Sequence, residues 1–181
     1  MQKNNKHSDS VIKSEQLIES IIQCVIDYGV DTVCIGAGSR STRLLEVISK
    51  LDLRVIPFFD ERAVAFMALG VIKATKKPVM VVTTSGTAVS NCCPAVTEAF
   101  NDHLPLIICS ADRPDRYYGT SANQTINQKK IFNSVVKEIQ VSDTLSVSES
   151  KEMVNQLSIG LGDMVSRGGP VHINIQLRRS C

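Results

Sequence analysis

The chain has 181 residues and a mass of 19.8 kDa, the size of one α/β domain and short for a self-sufficient two-substrate enzyme carrying a large organic cofactor. Its 20 basic and 18 acidic side chains leave a formal charge of +2, and the lack of any Lys/Arg run argues against nucleic-acid binding through bulk electrostatics. Aromatic residues make up only 4% of the chain and tryptophan is absent, so the core has to be aliphatic.

In chain order, residues 1–13 read as a flexible lead, polar over its first ten residues and without the apolar stretch of a signal peptide. A single domain is expected over 14–181. Ser14 is placed to cap a helix running to Tyr28, whose apolar stripe is Leu17, Ile18, Ile21, Ile22, Val25 and Ile26. Gly29 supplies the left-handed residue that ends it. Short β-rich runs then recur at 32–35, 54–59, 79–83, 106–110, 138–141 and 171–175, with helix-like segments near 42–51, 61–75, 86–101 and 149–166. The strands are continuous apolar runs, so both of their faces are covered. The expected fold is a six-stranded doubly wound parallel sheet with helices on both faces.

Six cysteines, at 24, 34, 92, 93, 109 and 181, sit mostly in apolar runs and form no CxxC pair, which fits reduced core thiols and a cytoplasmic protein. No apolar run approaches the roughly 20 residues of a membrane span. His7, His103 and His172 lack partners at ligand spacing and read as surface or structural residues.

In a doubly wound sheet, ligands bind beyond the carboxyl ends of the strands. Four segments leave those ends with small, polar or charged residues. Gly36-Ala37-Gly38-Ser39-Arg40-Ser41-Thr42 is either a tight turn, an anion-binding turn or a dinucleotide site, although Ser41 stands where a third glycine belongs. Arg40 suits a substrate carboxylate there. Asp60-Glu61-Arg62 either complements a helix dipole or, between Phe58-Phe59 and an apolar run from Ala63, presents a poorly hydrated carboxylate suited to sharing a proton with a ligand nitrogen. Thr84-Ser85-Gly86-Thr87 is either an ordinary helix start or a close approach of backbone to a flat ring. Asp112-Arg113-Pro114 leads into a polar stretch to Gln128, long enough to be functional.

Taken together, Gly38-Ser39-Arg40-Ser41-Thr42, Phe59-Asp60-Glu61-Arg62, Thr84-Ser85-Gly86-Thr87-Ala88-Val89, Ala111-Asp112-Arg113-Pro114 and Ala122-Asn123-Gln124 resemble the pyrimidine-binding domain of the 2-succinyl-5-enolpyruvyl-6-hydroxy-3-cyclohexene-1-carboxylate synthase family of menaquinone biosynthesis. That family belongs to the thiamine-diphosphate-dependent decarboxylases. The resemblance implies that Glu61 hydrogen-bonds the cofactor's aminopyrimidine ring and favours the tautomer that deprotonates the thiazolium carbon. It implies decarboxylation of 2-oxoglutarate and addition of the resulting carbanion equivalent to isochorismate. By the same resemblance Ser39, Arg40, Arg113 and Gln124 contact isochorismate, and Thr87 and Asn123 lie near the cofactor.

The family's diphosphate-binding domain, which holds magnesium or manganese and comes from another subunit of a homodimer or homotetramer, has no counterpart here. Gly162-Asp163-Met164 is the nearest string to its metal motif and lacks the second glycine, so no metal site is expected in this chain. The isolated chain is expected to be inactive. Ala37, Arg43 and Thr120-Ser121 depart from the family pattern on the substrate side. The alternatives are a non-catalytic or assembly module of the same fold, the pyrimidine domain of another thiamine-dependent decarboxylase or carboligase, and a nicotinamide-binding domain.

Overall fold

The apolar stripe at Leu17, Ile18, Ile21, Ile22 and Val25 is fully buried and makes α1 (Ser14–Asp27) an outer helix of the sheet. The computed structural model describes residues 12–178. Five further helices follow: α2 (Thr42–Ile48), α3 (Glu61–Thr75), α4 (Thr87–Ser90), α5 (Cys93–Asn101) and α6 (Val147–Arg167). They alternate with β1 (Thr32–Gly36), β2 (Arg54–Phe58), β3 (Val79–Thr83), β4 (Leu106–Asp112), β5 (Lys137–Ser142) and β6 (Val171–Gln176). The strands form one six-stranded sheet in the order β2-β1-β3-β4-β6-β5, every neighbouring pair parallel. The expected doubly wound architecture is what the chain adopts.

Strand periodicity divides the core in two. Val33, Ile35, Met80, Val82, Ile107, Cys109, Ile173 and Ile175 point to the side packed by α1, α2 and α6. Cys34, Val79, Val81, Leu106 and Ile108 point to the side of α3 and α5. The central strands β1, β3 and β4 are buried at every residue, as their uninterrupted apolar runs demand. The edge strands differ from the expectation: β2 is largely exposed and β5 alternates, because each has a partner on one side only. Pro57 is tolerated at such an edge, where no ladder donor is missed.

Local chemistry moves several boundaries. Lys13, not Ser14, is the N-cap of α1, and no side chain caps that end. Gly29 takes the expected left-handed conformation, φ +95°. Ile12, assigned to the flexible lead, is half-buried and donates its amide to Leu145 O at 3.0 Å; the rest of the lead except Lys13 lies outside the described residues. The helix expected over 86–101 is broken into α4 and α5, since Pro94 in the first turn of α5 has no N–H to continue the earlier ladder. By contrast α6 starts on a complete capping box, Ser146 with Glu149. Cys24, Cys34, Cys92, Cys93 and Cys109 are free thiols.

Candidate functional site

The chain runs from β1 outward to β2 and returns to β3 on the other side of β1, so the loops leaving β1 and β3 diverge at a topological switch point. There the two loops lean on each other. A Cβ on Gly38 would lie 2.5 Å from Thr84 Cβ, so only glycine lets the first loop settle against the second. Ser41 closes the turn from inside, its hydroxyl accepting from Gly38 N at 3.1 Å and donating to Gly38 O at 2.9 Å. The Gly38 amide is thereby engaged within the chain, unlike a glycine-rich turn that offers its amides to a pyrophosphate.

Asp60 and Glu61 have separate roles. Asp60 is the N-cap of α3, its carboxylate accepting from Ala63 N at 2.8 Å. Glu61 is thus the first residue of the helix, and its side chain folds back over the end of β1: a Cβ on Gly36 would meet Glu61 Cγ at 3.0 Å. The Glu61 carboxylate receives no hydrogen bond from a described residue. The apolar enclosure expected from the sequence is not closed by this chain. Glu61 is only half-buried, and Phe59, Phe66, Met67 and Val55 on β2, α3 and the turn between them are exposed. Cys92 borders Glu61 from the other side, with Sγ 3.9 Å from Glu61 O. Burial, reinforced by the Glu61 charge, pushes that thiol up to about 12.

The space beside Gly86 is taken by the chain itself. At φ +79° Gly86 sits where an added Cβ would be 2.9 Å from Gln124 C and O. Ser85 Oγ donates to Gln124 O at 2.9 Å, and Gly86 N donates to Gln128 Oε1 at 2.8 Å. The long stretch after β4 is therefore folded back onto the end of β3. This contact brings Asn123 and Gln124, both exposed, beside the segment that carries exposed Thr87 at the start of α4. Gln124 holds a left-handed backbone, φ +53°, unusual for a residue with a side chain.

The arginines gather around this end of the sheet. Arg40 is nearly buried, at 9% exposure, although it carries a full charge. With exposed Ser39 it lines a cleft of about 450 Å³ together with Arg43, Glu46 and Arg178. Arg113 and Arg116 stack toward the Tyr117 ring, 5.7 and 4.9 Å from its centroid. A hydrogen bond from Arg116, followed by the charges of Arg116, Arg40 and Arg113, holds the Tyr117 phenol below its ordinary value. Arg113 Nε is buried with no hydrogen-bond acceptor. An unmatched buried guanidinium donor is costly, and a ligand carboxylate is the group that would satisfy it.

Beneath the loop lies a buried polar network that the sequence reading did not single out. Asp112 Oδ2 accepts from Tyr118 Oη at 2.5 Å and from Asn174 Nδ2 at 2.8 Å, while Oδ1 accepts from Arg113 N at 2.7 Å. Burial pushes the Asp112 carboxyl up, and these bonds partly offset it. Ser110 Oγ donates to Asn174 Oδ1 at 2.8 Å and lies 2.8 Å from His172 Nε2. With its proton committed to Asn174, Ser110 accepts from His172, which places the imidazole proton on Nε2. His172 Nδ1 then has no partner, Phe132 covers the ring edge-on, and burial pushes the pKa down to about 3. The Ser–His pair is fully buried, so it is structural and not a nucleophile with its base. The available signal was three polar residues, Ser110, His172 and Asn174, inside otherwise apolar strands.

A cleft of about 1070 Å³ lies between α1, α2 and α6 and is lined by none of the strand-end residues. Gly162-Asp163-Met164 lies within α6, and no cluster of three or more metal-ligating side chains occurs among the described residues. No helix of the described residues is long and apolar enough to cross a membrane.

With that geometry, residues 16–131 match the family of the thiamine pyrophosphate enzyme, N-terminal TPP binding domain. The chain is similar to the 2-succinyl-5-enolpyruvyl-6-hydroxy-3-cyclohexene-1-carboxylate synthase of Corynebacterium diphtheriae, 46% identical over 87% of this chain and 32% of that protein. The enzymes of the same name from Corynebacterium glutamicum and Chlorobium phaeobacteroides are 37% and 39% identical over 91% and 87% of this chain, and 29% and 28% of theirs. The chain thus spans a third or less of the length of these relatives.

Proposed function

We propose a function from the premise that this chain belongs to the thiamine pyrophosphate enzyme family, as its N-terminal TPP binding domain. The chain is the pyrimidine-binding part of a 2-succinyl-5-enolpyruvyl-6-hydroxy-3-cyclohexene-1-carboxylate synthase, acting on 2-oxoglutarate and isochorismate in menaquinone biosynthesis in the cytoplasm. The domain extends over 14–181, and a diphosphate-binding domain of another subunit, in a homodimer or homotetramer, holds the magnesium or manganese ion. The exposed apolar residues Val55, Phe59, Phe66 and Met67 beside Glu61 support such a covering domain.

The residues fit the aminopyrimidine end of the cofactor. An unpartnered, half-buried carboxylate at the end of β1 is the group a ring nitrogen needs, and covering it would strengthen the bond by lowering the local dielectric. When bound, thiamine diphosphate supplies the carbanion-stabilising chemistry. Glu61 holds the proton shared with the ring, and Thr87 and Asn123 orient the cofactor from the β3 and β4 loops. Arg40 and Arg113, with Ser39 and Gln124, bind the carboxylates of isochorismate. The observation that carries this reading is the orphaned Arg113 Nε within an arginine cluster at the same end of the sheet as the unpartnered Glu61 carboxylate.

The test is turnover by the complete protein with thiamine diphosphate, magnesium and both substrates, alongside Arg40→Ala. Loss of a charge-assisted hydrogen bond, about 1.5–3 kcal/mol, should raise the isochorismate KM roughly 10- to 100-fold with cofactor affinity retained. The isolated chain should bind thiamine diphosphate weakly and turn over nothing. Absence of turnover by the complete protein, or an unchanged KM in a folded variant, would sink the assignment.

A further inference from the structure

Gln128 is wholly buried, and its amide reaches three strand ends at once. Its Oε1 accepts from Gly86 N at 2.8 Å, at the exit of β3. Its Nε2 donates to Asn174 Oδ1 on β6 at 2.8 Å, with longer contacts of 3.3 Å to Ser110 Oγ and Ala111 O on β4. A side-chain amide has two hydrogens on nitrogen and two lone pairs on oxygen, so these contacts use both of its hydrogens. Four residues earlier Gln124 O receives Ser85 Oγ, and its backbone fills the space left by Gly86. The segment between these two attachments is short enough that fixing both ends fixes Gln124 in its left-handed conformation, φ +53°.

We infer that Gln128 is a positioning residue for the substrate site: through Gly86 and the 121–128 loop it sets where Gln124 and Asn123 stand relative to Thr87. The inference rests on the proposed function for what those residues bind. It extends that reading to a side chain that itself touches neither substrate nor cofactor. Three features make the clamp specific to an amide. A carboxylate at this position would retain the Gly86 bond but face Ala111 O and Asn174 Oδ1 without a proton to donate. A thioether of similar length would leave the Gly86 amide without its acceptor and remove one of the two donors to Asn174 Oδ1, Ser110 Oγ remaining as the other. Asparagine is one methylene too short to span from β6 to the β3 loop.

The experiment compares Gln128→Glu and Gln128→Met in the complete protein, with Ser85→Ala as a milder variant that cuts only the second attachment. Steady-state kinetics should show the isochorismate KM raised tenfold or more in both Gln128 variants and about threefold in Ser85→Ala. The KM for 2-oxoglutarate and the thiamine diphosphate affinity should change less than threefold. Native-state hydrogen exchange in the Gln128 variants should run at least tenfold faster than in the parent over 84–88 and 121–127, with strands β1 and β3 unchanged. A purely structural role would instead lower the folded fraction and kcat at constant KM. An unchanged isochorismate KM, or failure of both Gln128 variants to fold, overturns the inference. If the parent protein has no synthase activity, the functional reading fails, and exchange in the two loops still decides whether the clamp exists.

Discussion

Gly86→Ala tests the close approach of the two loops directly. Two costs arise in this variant. At φ +79° and ψ −134° an alanine occupies backbone space that L-residues avoid, a strain of about 1–3 kcal/mol. Its Cβ would also lie 2.9 Å from Gln124 C and O and 3.2 Å from Gln124 Cα, all backbone atoms that no rotamer change can remove. Relief requires the 121–128 loop to lift, which stretches Ser85 Oγ–Gln124 O and Gly86 N–Gln128 Oε1. Leaving the buried Gln128 oxygen unsatisfied costs about 1–3 kcal/mol. These are alternatives in part, since a lifted loop escapes the clash, so the expected total is about 2–4 kcal/mol. For a protein of this size that corresponds to roughly 4–16 °C in Tm.

The assay is thermal unfolding of Gly86→Ala beside Gly70→Ala. Gly70 lies in the exposed face of α3 with nothing within 4 Å of an added Cβ and no positive φ. Alanine there should stabilise by about 0.5–1 kcal/mol through helix propensity alone. Opposite signs at the two glycines are expected. A Gly86→Ala protein melting within a degree of its parent would refute the reasoning, because neither the backbone conformation nor the packing against Gln124 could then be as described.

Two further predictions concern titration and thiol access. His172 is neutral in the fold, its pKa pushed down to about 3 by burial, so between there and the ordinary 6.5 the unfolded chain binds the extra proton and stability falls as pH falls. From pH 7 to pH 5 that loss is about 2 kcal/mol, and His172→Gln should remove it; a variant whose stability changes between the two pH values just as its parent's does would contradict a buried neutral imidazole. Asp112, with its carboxyl raised by burial, works in the opposite sense, since its protonation on acidification favours the fold. Among the described cysteines, iodoacetamide should modify half-exposed Cys93 first in the native protein, while Cys92 and Cys109, both buried and pushed up to about 12, stay unmodified. Peptide mapping that finds Cys109 labelled before unfolding would refute its placement.

What could be read from the sequence follows from the range over which each signal acts. Apolar runs such as 79–83 and 106–110 identify buried parallel strands because a strand covered on both faces has no polar alternation to preserve. The strand-end segments around Arg40, Glu61 and Arg113 were legible from the expected sheet order, since a doubly wound sheet gathers its strand ends, whereas Ser39, Thr87, Asn123 and Gln124 were singled out by the family resemblance. Solvent exposure was not: Phe58-Phe59 suggested an enclosed Glu61, yet Phe59 stands wholly in solvent, since the sequence states that a residue is apolar and not what covers it. The split of 86–101 was legible in Pro94 and was missed, because the helical periodicity spans the break. Gln128 was passed over because its partners, Gly86 and Asn174, are 42 and 46 residues away.

The polar network under the loop shows why the site is built at this end and not merely decorated there. An apolar filling around Ser110, Asn174 and Gln128 would avoid the orphaned His172 Nδ1 and the desolvated Asp112. It would also remove the buried directional constraints on the 113–128 segment, leaving it held by Ser85 Oγ on Gln124 O and by the exposed contacts of Asp115 with Lys129 and Gln176. Asp112 orients the Arg113 amide at 2.7 Å and anchors Tyr118 at 2.5 Å, while Gln128 anchors the far end of the same segment. A chain otherwise irregular over these residues is thus fixed at both ends by buried hydrogen bonds that tolerate only one geometry. Cutting the near anchor with Tyr118→Phe should therefore disturb Arg113 more than Gln124, and cutting the far one with Gln128→Met should do the reverse. The two ends of the loop differ in what they position, not in how they are held.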